Sequence, residues 1–504
     1  MLFHSLPFLF AFLPLALGGY WICKKQSETA AKVWLILASV FFYGSWRPQD
    51  ALLFSASLLF NYAVAEGLHR SARTTQRRLL LLCGVLVNVG VLAYFKYRNF
   101  FLESLGALTG WEMSLGALLL PLAISFFTFT QTAYLVDVYR SPGLHQSFLN
   151  FALFIFFFPH LIAGPILRHW EFLPQIAKRL PRITFREVYP GLTLLVLGVA
   201  KKVFFADAVA PMADAVFNAP AASVTTLEAW MGTLAFSLQI YFDFSAYSDM
   251  ALGLGLLFGF RFPINFASPY QATSIIDFWR RWHITLARFL RDYIYIPLGG
   301  NRHGAGRHVA NVFATMLISG LWHGAGWTFL AWGAWHGLAL ILNHAARRWI
   351  PPVTANWFLT TCKWAITFGV VTLSWVYFRS ATLSGAHQLF ATMFGVHGIS
   401  LPSYHEAAYG AHLRPWVQFM PSDLLEIGRN QILLLLSLLV WVVAVPNTLN
   451  LLRRWRPACE PYPEASRWRL TPTPIVAFAL GCLAFFAVKR LFVAQPAEFI
   501  YFQF

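Results

Sequence analysis

The stretch LLLLCGVLVNVGVLAYF, residues 79–95, runs for seventeen positions without a charged side chain. A membrane helix needs about 20 such residues to cross a hydrocarbon core of ~30 Å. Comparable runs recur near residues 5–23, 32–46, 50–68, 113–136, 148–167, 189–206, 227–242, 246–262, 309–322, 326–344, 362–378, 430–446 and 474–494. Several are short or interrupted. The pattern predicts about eleven to fourteen membrane helices, some of them re-entrant or lying at the interface.

Composition agrees. Of 504 residues, 58% are hydrophobic, 17% aromatic and only 12% charged, where a soluble protein carries roughly 25% charged residues. With half the usual polar covering missing, a soluble globule is excluded. The abundance of Phe, Trp, Leu and Val excludes disorder. The expected fold is an all-α integral membrane protein, a polytopic helical bundle. No internal repeat is visible, and no hydrophilic stretch is long enough to fold alone. The simplest partition is therefore a single domain over residues 1–504, with residues 110–345 as the motif-bearing core.

The chain holds 38 Lys and Arg against 21 Asp and Glu, a formal charge of +17. These basic residues fall between apolar runs, as they do in cytoplasmic loops, so no nucleic-acid partner is expected. With the N-terminus periplasmic, Lys24, Lys25 and Lys32 follow the first span inside, and Arg70, Arg73, Arg77 and Arg78 follow the third. Residues 380–427 contain one basic residue, Arg414, and read as a periplasmic loop; residues 447–472 contain Arg453, Arg454, Arg456, Arg467 and Arg469 and read as cytoplasmic. The first run contains Pro7 and Pro14 and is followed by no A-x-A site, so it is expected to be a retained span. Cys23, Cys83, Cys362, Cys459 and Cys482 are scattered and form no framework.

Three constellations break the apolar rhythm. In 277-DFWRRWHITLARFLRDYIYIPLGGNR-302, helical spacing puts Phe278, Trp282, Thr285 and Phe289 on one face and Arg281, Arg288 and Arg291 on another. This predicts an amphipathic helix flat on the membrane, aromatic side down. Its arginines, with Arg280, suit anionic lipid headgroups, the reading composition favours, and also an anionic donor whose phosphates match the guanidinium fork. His283 sits among them, where a neutral ring able to accept a proton is favoured.

The second, 321-LWHGAGWTFLAWGAWHG-337, places His323 and His336 in an apolar segment, where ionisable groups face a cavity or the bundle interior. On one unbroken helix they would stand about 20 Å apart on different faces. Gly324 and Gly326 predict a break that would let both line one cavity. No HxxxH, HExxH or Cys/His spacing occurs in these motifs, so no metal is expected. The third, 239-QIYFDFSAYSDMALGLG-255, gathers Asp243, Ser245, Ser248 and Asp249 into a buried polar network that must pair with Arg, hydroxyls or water. Gly253, Gly255 and Gly259 suit close helix packing rather than nucleotide binding. A seven-residue tail, 498-EFIYFQF-504, is hydrophobic and aromatic to its end, either as an interfacial anchor or as an insertion into a cavity.

These motifs, with FFPHLIAGPILR at 157–168, resemble the membrane-bound O-acyltransferase family, and within it the bacterial alginate O-acetyltransferase branch. The resemblance covers most of residues 1–345 and the last helix; Ala246 and His160 depart from the usual Gly and Gln. It implies a central tunnel, with His336 as the near-invariant histidine at its base, His323 as the preceding WHG histidine and His283 near the neck. It also implies transfer of an acyl group from a cytoplasmic thioester, acetyl-CoA in this branch, to a hydroxyl, with a neutral imidazole as general base. No bound cofactor is expected. By the same resemblance the protein sits in the bacterial inner membrane and works with a periplasmic serine-hydrolase-like partner on a polysaccharide such as alginate. The tail resembles that of the small protein accompanying the D-alanyl branch, which makes Tyr501 an acyl relay. Acetylation of cellulose or peptidoglycan and D-alanylation of teichoic acid are rival enzymatic readings. A transporter or flippase is the rival of another class, which the lack of an inverted repeat disfavours.

Overall fold

The computed structural model describes residues 1–111, 116, 118–162, 164–177, 179–220, 223–349, 356–396, 398–421, 424, 429–463, 467–493 and 497–503. Parts of the 380–427 loop and Phe504 of the tail therefore lie outside the described residues. The chain is helical almost throughout. The 79–95 stretch lies within the continuous apolar run Thr74–Thr109, one of five described helical runs long and apolar enough to cross a membrane. The others are Phe8–Gln26, Pro48–Arg70, Trp357–Arg379 and Pro474–Val493, and Asn430–Ala444 is a shorter apolar helix. Their outward faces carry side chains such as Leu82, Leu86, Ile475, Phe478 and Phe492 in the open, a surface compatible with lipid rather than water. This is a multi-pass membrane protein.

Two of the expected segments differ from the sequence pattern. The runs at 227–242 and 246–262 are joined in one helix, Thr226–Leu257, because nothing between Asp243 and Ala246 breaks a helix. A capping box starts it: Thr225 N–H donates to Glu228 Oε2 at 3.0 Å, and Glu228 N–H to Thr225 Oγ1 at 3.4 Å. The run at 148–167 is divided at Phe157, whose ψ of 108° leaves the helix, into Phe148–Phe156 and Phe158–Leu161; Pro159 sits in the first turn of the second helix, where its missing N–H is tolerated.

The chain gathers into two compact units. The first comprises Met1–Val199, Ala246–Ile264 and Thr448–Gln503. Its interior satisfies buried polar groups one by one, as a low-dielectric core demands. Lys32 Nζ donates to Asn150 Oδ1 and to the Ile176 carbonyl, each at 2.8 Å. The amides of Asn61 and Asn88 donate to each other at 3.0 and 2.7 Å. His169 Nδ1 meets Asp137 Oδ2 at 3.0 Å, and His160 Nε2 donates to the Phe154 carbonyl at 2.9 Å.

The second unit comprises Ala200–Ser245 and Asn265–Asn447. Its centre is an antiparallel pair, Gly304–His323 and Trp327–Trp349, joined by residues 324–326. The two backbones touch at glycines: a Cβ on Gly333 would lie 2.5 Å from the Met316 carbonyl oxygen, and one on Gly320 would strike that of Phe329. Helix Trp357–Arg379 packs alongside, started by Asn356, whose Oδ1 accepts the Leu359 N–H at 2.7 Å. Arg379 in its last turn pairs with Asp214 at 2.8 Å. Residues 380–427 contribute a short parallel ribbon of Ser400–Pro402 on Gln418–Met420.

Candidate functional site

The predicted break at Gly324 is present: Gly304–His323 ends at His323, and the next helix starts at Trp327. His323 and His336 consequently stand on partnered helices, and both touch one ring. Trp332 lies 5.0 Å from His323 and 4.8 Å from His336, centroid to centroid. Trp322 extends the line, 4.8 Å from His323 and 5.9 Å from His283. The three sequence-predicted histidines therefore form one row threaded by two tryptophans, and all are buried.

His283 reaches this row by a route the sequence pattern did not foresee. The expected flat amphipathic helix is two short helices, Ile275–Arg281 and Ile284–Leu290, broken at Trp282 and His283. His283 has φ of 41°, in the left-handed region that is costly for a side chain of its size. The break is held by pairing with residues far from the local pattern. The Arg281 carbonyl accepts Ala267 N–H at 2.9 Å, and Ile284 N–H donates to the Asn265 carbonyl at 3.0 Å. The aromatic face is correspondingly not laid on lipid: Phe278, Trp282, Thr285 and Phe289 are buried inside the protein.

Hydrogen bonding assigns the ring protons. Ser374 has one hydroxyl hydrogen, and it goes to the Val371 carbonyl at 2.6 Å. Ser374 Oγ therefore faces His336 Nε2, 2.9 Å away, as an acceptor. That puts the proton on Nε2 and the lone pair on Nδ1, which has no hydrogen-bond partner among the described residues. His283 is the mirror case. Its Nδ1 donates to Asn265 Oδ1 at 3.0 Å, the same oxygen that accepts Thr285 Oγ1 at 3.0 Å. Nε2 is left with the lone pair and without a partner among the described residues. Each ring is oriented by a neutral group, a hydroxyl or an amide, and keeps one nitrogen with its lone pair unengaged among the described residues.

Around His336 the walls are aromatic: Phe278 lies parallel at 6.1 Å, with Trp279 at 5.2 Å and Trp375 at 6.5 Å. Such walls present π density to the imidazole. Among the described residues no three His, Cys, Asp or Glu side chains gather as metal ligands.

Of the partners expected for the acidic network, Arg, hydroxyls or water, a lysine takes the place of the arginine. Lys202, buried at the end of Phe185–Lys201, sits 2.9 Å from both Asp243 and Asp207, and Lys201 Nζ donates to Ser245 Oγ at 3.3 Å. A lysine pair at a helix end supplies the cations because its stems pass along apolar surface to reach the carboxylates. Phe244, between these groups, meets His283 edge-on at 4.7 Å. Asp249 falls in the first unit and is buried there.

Of the four arginines, Arg281 is paired with Asp277 at 3.0 Å and Arg291 with Asp292 at 2.6 Å. Arg288 is half-buried. Arg280 is exposed, with no ion pair among the described residues. Its charge and that of Arg347 both act on His344, so one positive patch joins the ends of two helices. In the first unit the tail is packed rather than frayed: Phe499 and Ile500 are buried, Phe499 lies 4.3 Å from Tyr247, and Tyr501 stacks on Phe499 at 5.5 Å. The sequence reading missed Ser374, Asn265 and Lys202. A lone Ser in an apolar helix and a buried Asn in a loop are weak signals that only a long-range contact makes specific.

The site is a row of buried histidines held among tryptophans within a helical membrane protein. Sequence comparison supplies the class. The model of the MBOAT, membrane-bound O-acyltransferase family matches residues 139–381. Peptidoglycan O-acetyltransferase of Helicobacter pylori is 42% identical over 436 residues, 80% of this chain and 81% of the relative. Probable alginate O-acetylase AlgI of Pseudomonas aeruginosa is 44% identical over 401 residues, 78% of this chain and 75% of the relative. Teichoic acid D-alanyltransferase of Streptococcus thermophilus is 27% identical over 289 residues, 51% and 68%. The chain belongs to the membrane-bound O-acyltransferase family and is an O-acyltransferase.

Proposed function

We propose that the protein moves acetyl groups from acetyl-CoA on the cytoplasmic side of the inner membrane to a cell-envelope polysaccharide, with His336 as general base. The observation that carries this is the pairing of His336 Nε2–H with Ser374, which leaves Nδ1 as the open base. Nδ1 takes the proton of an acceptor hydroxyl as its oxygen bonds to the thioester carbonyl carbon. The tetrahedral intermediate then collapses, the carbon–sulfur bond breaks, and the thiolate leaves with the proton returned by the imidazolium. The aromatic walls stabilise the transient cation in place of a carboxylate. His323, in the middle of the tryptophan row, and His283, at the end away from His336, line the acceptor path, and His283 Nε2 offers a second open base.

Arg280 is the donor-side cation best placed to meet the phosphates of coenzyme A, because its guanidinium has no ion pair among the described residues; Arg281, Arg288 and Arg291 contribute charge from more committed positions. The N-terminus and residues 380–427 are periplasmic in this reading, where a serine-hydrolase-like partner receives the acetyl group, and Tyr501 is its relay. The acceptor is an exopolysaccharide such as alginate. Peptidoglycan is the second reading, favoured by the Helicobacter relative at similar identity. Inactivating the gene and measuring ester-bound acetyl on isolated exopolysaccharide and on isolated peptidoglycan tests both. Loss from exopolysaccharide alone supports the first, loss from peptidoglycan alone the second, and unchanged acetylation of every envelope polymer refutes the proposal.

A further inference from the structure

The loop between Asn430–Ala444 and Pro474–Val493 is rich in arginine but does not behave as a loose basic tether. It is pinned to residues 261–264 at several points of the first unit. Cys459 N–H donates to the Phe262 carbonyl at 3.0 Å, Ile264 N–H donates to Glu460 Oε1 at 3.1 Å, and Arg261 Nε donates to the Arg456 carbonyl at 3.1 Å. Arg261 is itself fixed by Glu187 at 2.8 Å. Further along, Leu470 N–H donates to the Leu451 carbonyl at 3.0 Å. The prolines of 457-PACEPYP-463 stiffen the rim.

The anchored loop encloses a cavity of about 260 Å³. Arg453, Arg456 and Glu460 supply its charge; Ile264, Leu449 and Tyr462 supply apolar wall. Arg456 adopts φ of 47°, a left-handed conformation that a side chain takes up only where surrounding structure enforces it. Neither Arg453 nor Arg456 has an ion pair or side-chain hydrogen bond among the described residues, whereas Glu460 already has one oxygen engaged by the Ile264 N–H. The lining is thus net cationic, with two unengaged guanidinium forks beside a greasy wall, in the loop that leads into the apolar helix Pro474–Val493.

We infer that this cavity is a binding site for a phosphate group, that of an anionic glycerophospholipid. The forks match phosphate oxygens in pairs, the apolar wall takes the glycerol and first acyl carbons, and basic pockets beside membrane helices favour such headgroups. The inference does not depend on which polymer is acetylated.

Full-length protein in nonionic detergent would be titrated with phosphatidylglycerol or phosphatidylcholine, and bound lipid counted by native mass spectrometry. Phosphatidylglycerol is expected to bind at least fivefold more tightly than phosphatidylcholine. The variant Arg453→Gln/Arg456→Gln is expected to lose at least tenfold of that affinity, and Arg467→Gln/Arg469→Gln, in the same loop but outside the cavity, to keep it. If the double cavity variant does not fold, Arg453→Gln alone is read, with at least a threefold loss expected. Competition by inorganic phosphate or glycerol 3-phosphate at millimolar concentration would extend the site to soluble phosphate esters, and its absence would restrict the site to lipid. Equal binding of both lipids, or equal loss in both arginine pairs, overturns the proposal in favour of diffuse surface charge.

Discussion

Replacing Ser374 by Ala isolates the tautomer argument from everything else in the site. Ser374 and His336 are both fully buried, and their 2.9 Å contact is the only described hydrogen bond of the His336 ring. Without the hydroxyl, the buried Nε2–H has no acceptor, a loss of about 1–3 kcal/mol. The loss falls on the protonated ring, whose Nε2–H needs that acceptor most as Nδ1 takes up the proton, so the transition state rises by about 1–3 kcal/mol, or about 5- to 150-fold in rate. The expected result is a fall in kcat within that range, with KM for acetyl-CoA unchanged, because Ser374 acts through the histidine. Ser374→Thr keeps the hydroxyl and should recover most of the rate. The assay is release of free thiol from acetyl-CoA by purified protein in liposomes, with the thermal midpoint in detergent as the folding control. Wild-type kcat in Ser374→Ala refutes the assignment of Nδ1 as the base atom, as does a drop in KM alone.

Three further outcomes follow from the geometry. Lys202→Met strips Asp243 and Asp207 of a buried partner at 2.9 Å each and should destabilise the protein by about 3–5 kcal/mol; adding Asp243→Asn should restore part of the lost thermal midpoint, and an unaffected midpoint in the single variant contradicts the network. Cys459, in the arginine-rich loop, has its thiol pushed up to about 12 by burial and by the nearby carboxylates of Glu171 and Glu460. In a variant retaining only this cysteine, maleimide labelling should rise about tenfold per pH unit from pH 7 to 9, since the reactive thiolate is a minor form throughout; a rate that levels off near pH 8.5 contradicts that environment. Tyr501→Phe removes the hydroxyl a relay needs while keeping the ring stacked on Phe499. Polymer acetylation should fall to background, and wild-type transfer would leave the tail as a packing element.

What could be read in the sequence was local. The break between His323 and His336 is written in Gly324 and Gly326, and the membrane class in the repeated apolar runs. The aromatic and basic stretch after Asp277 was legible as a break in the apolar rhythm but not as a shape. Helical periodicity placed Phe278, Trp282, Thr285 and Phe289 on one face, and a lipid-facing helix and a buried broken one share that pattern. What separates them is backbone pairing of residues 265–267 with 281–284, which no window of neighbouring residues contains. Ser374 lies 38 positions from His336 in an apolar helix that reads as a plain span. Lys202 sits at the edge of an apolar run, where a basic residue ordinarily marks the membrane boundary, so its burial against Asp243 depends on how the helices fold together.

The central claim is that His336 accepts the proton during acyl transfer. Its most direct test is thioester cleavage by purified protein in liposomes supplied with labelled acetyl-CoA and an acceptor polysaccharide, comparing wild type with His336→Ala. General-base catalysis is worth about 10²- to 10⁴-fold, so cleavage and label transfer should both fall by at least a hundredfold while the protein remains inserted and folded. Undiminished cleavage in His336→Ala would contradict the account.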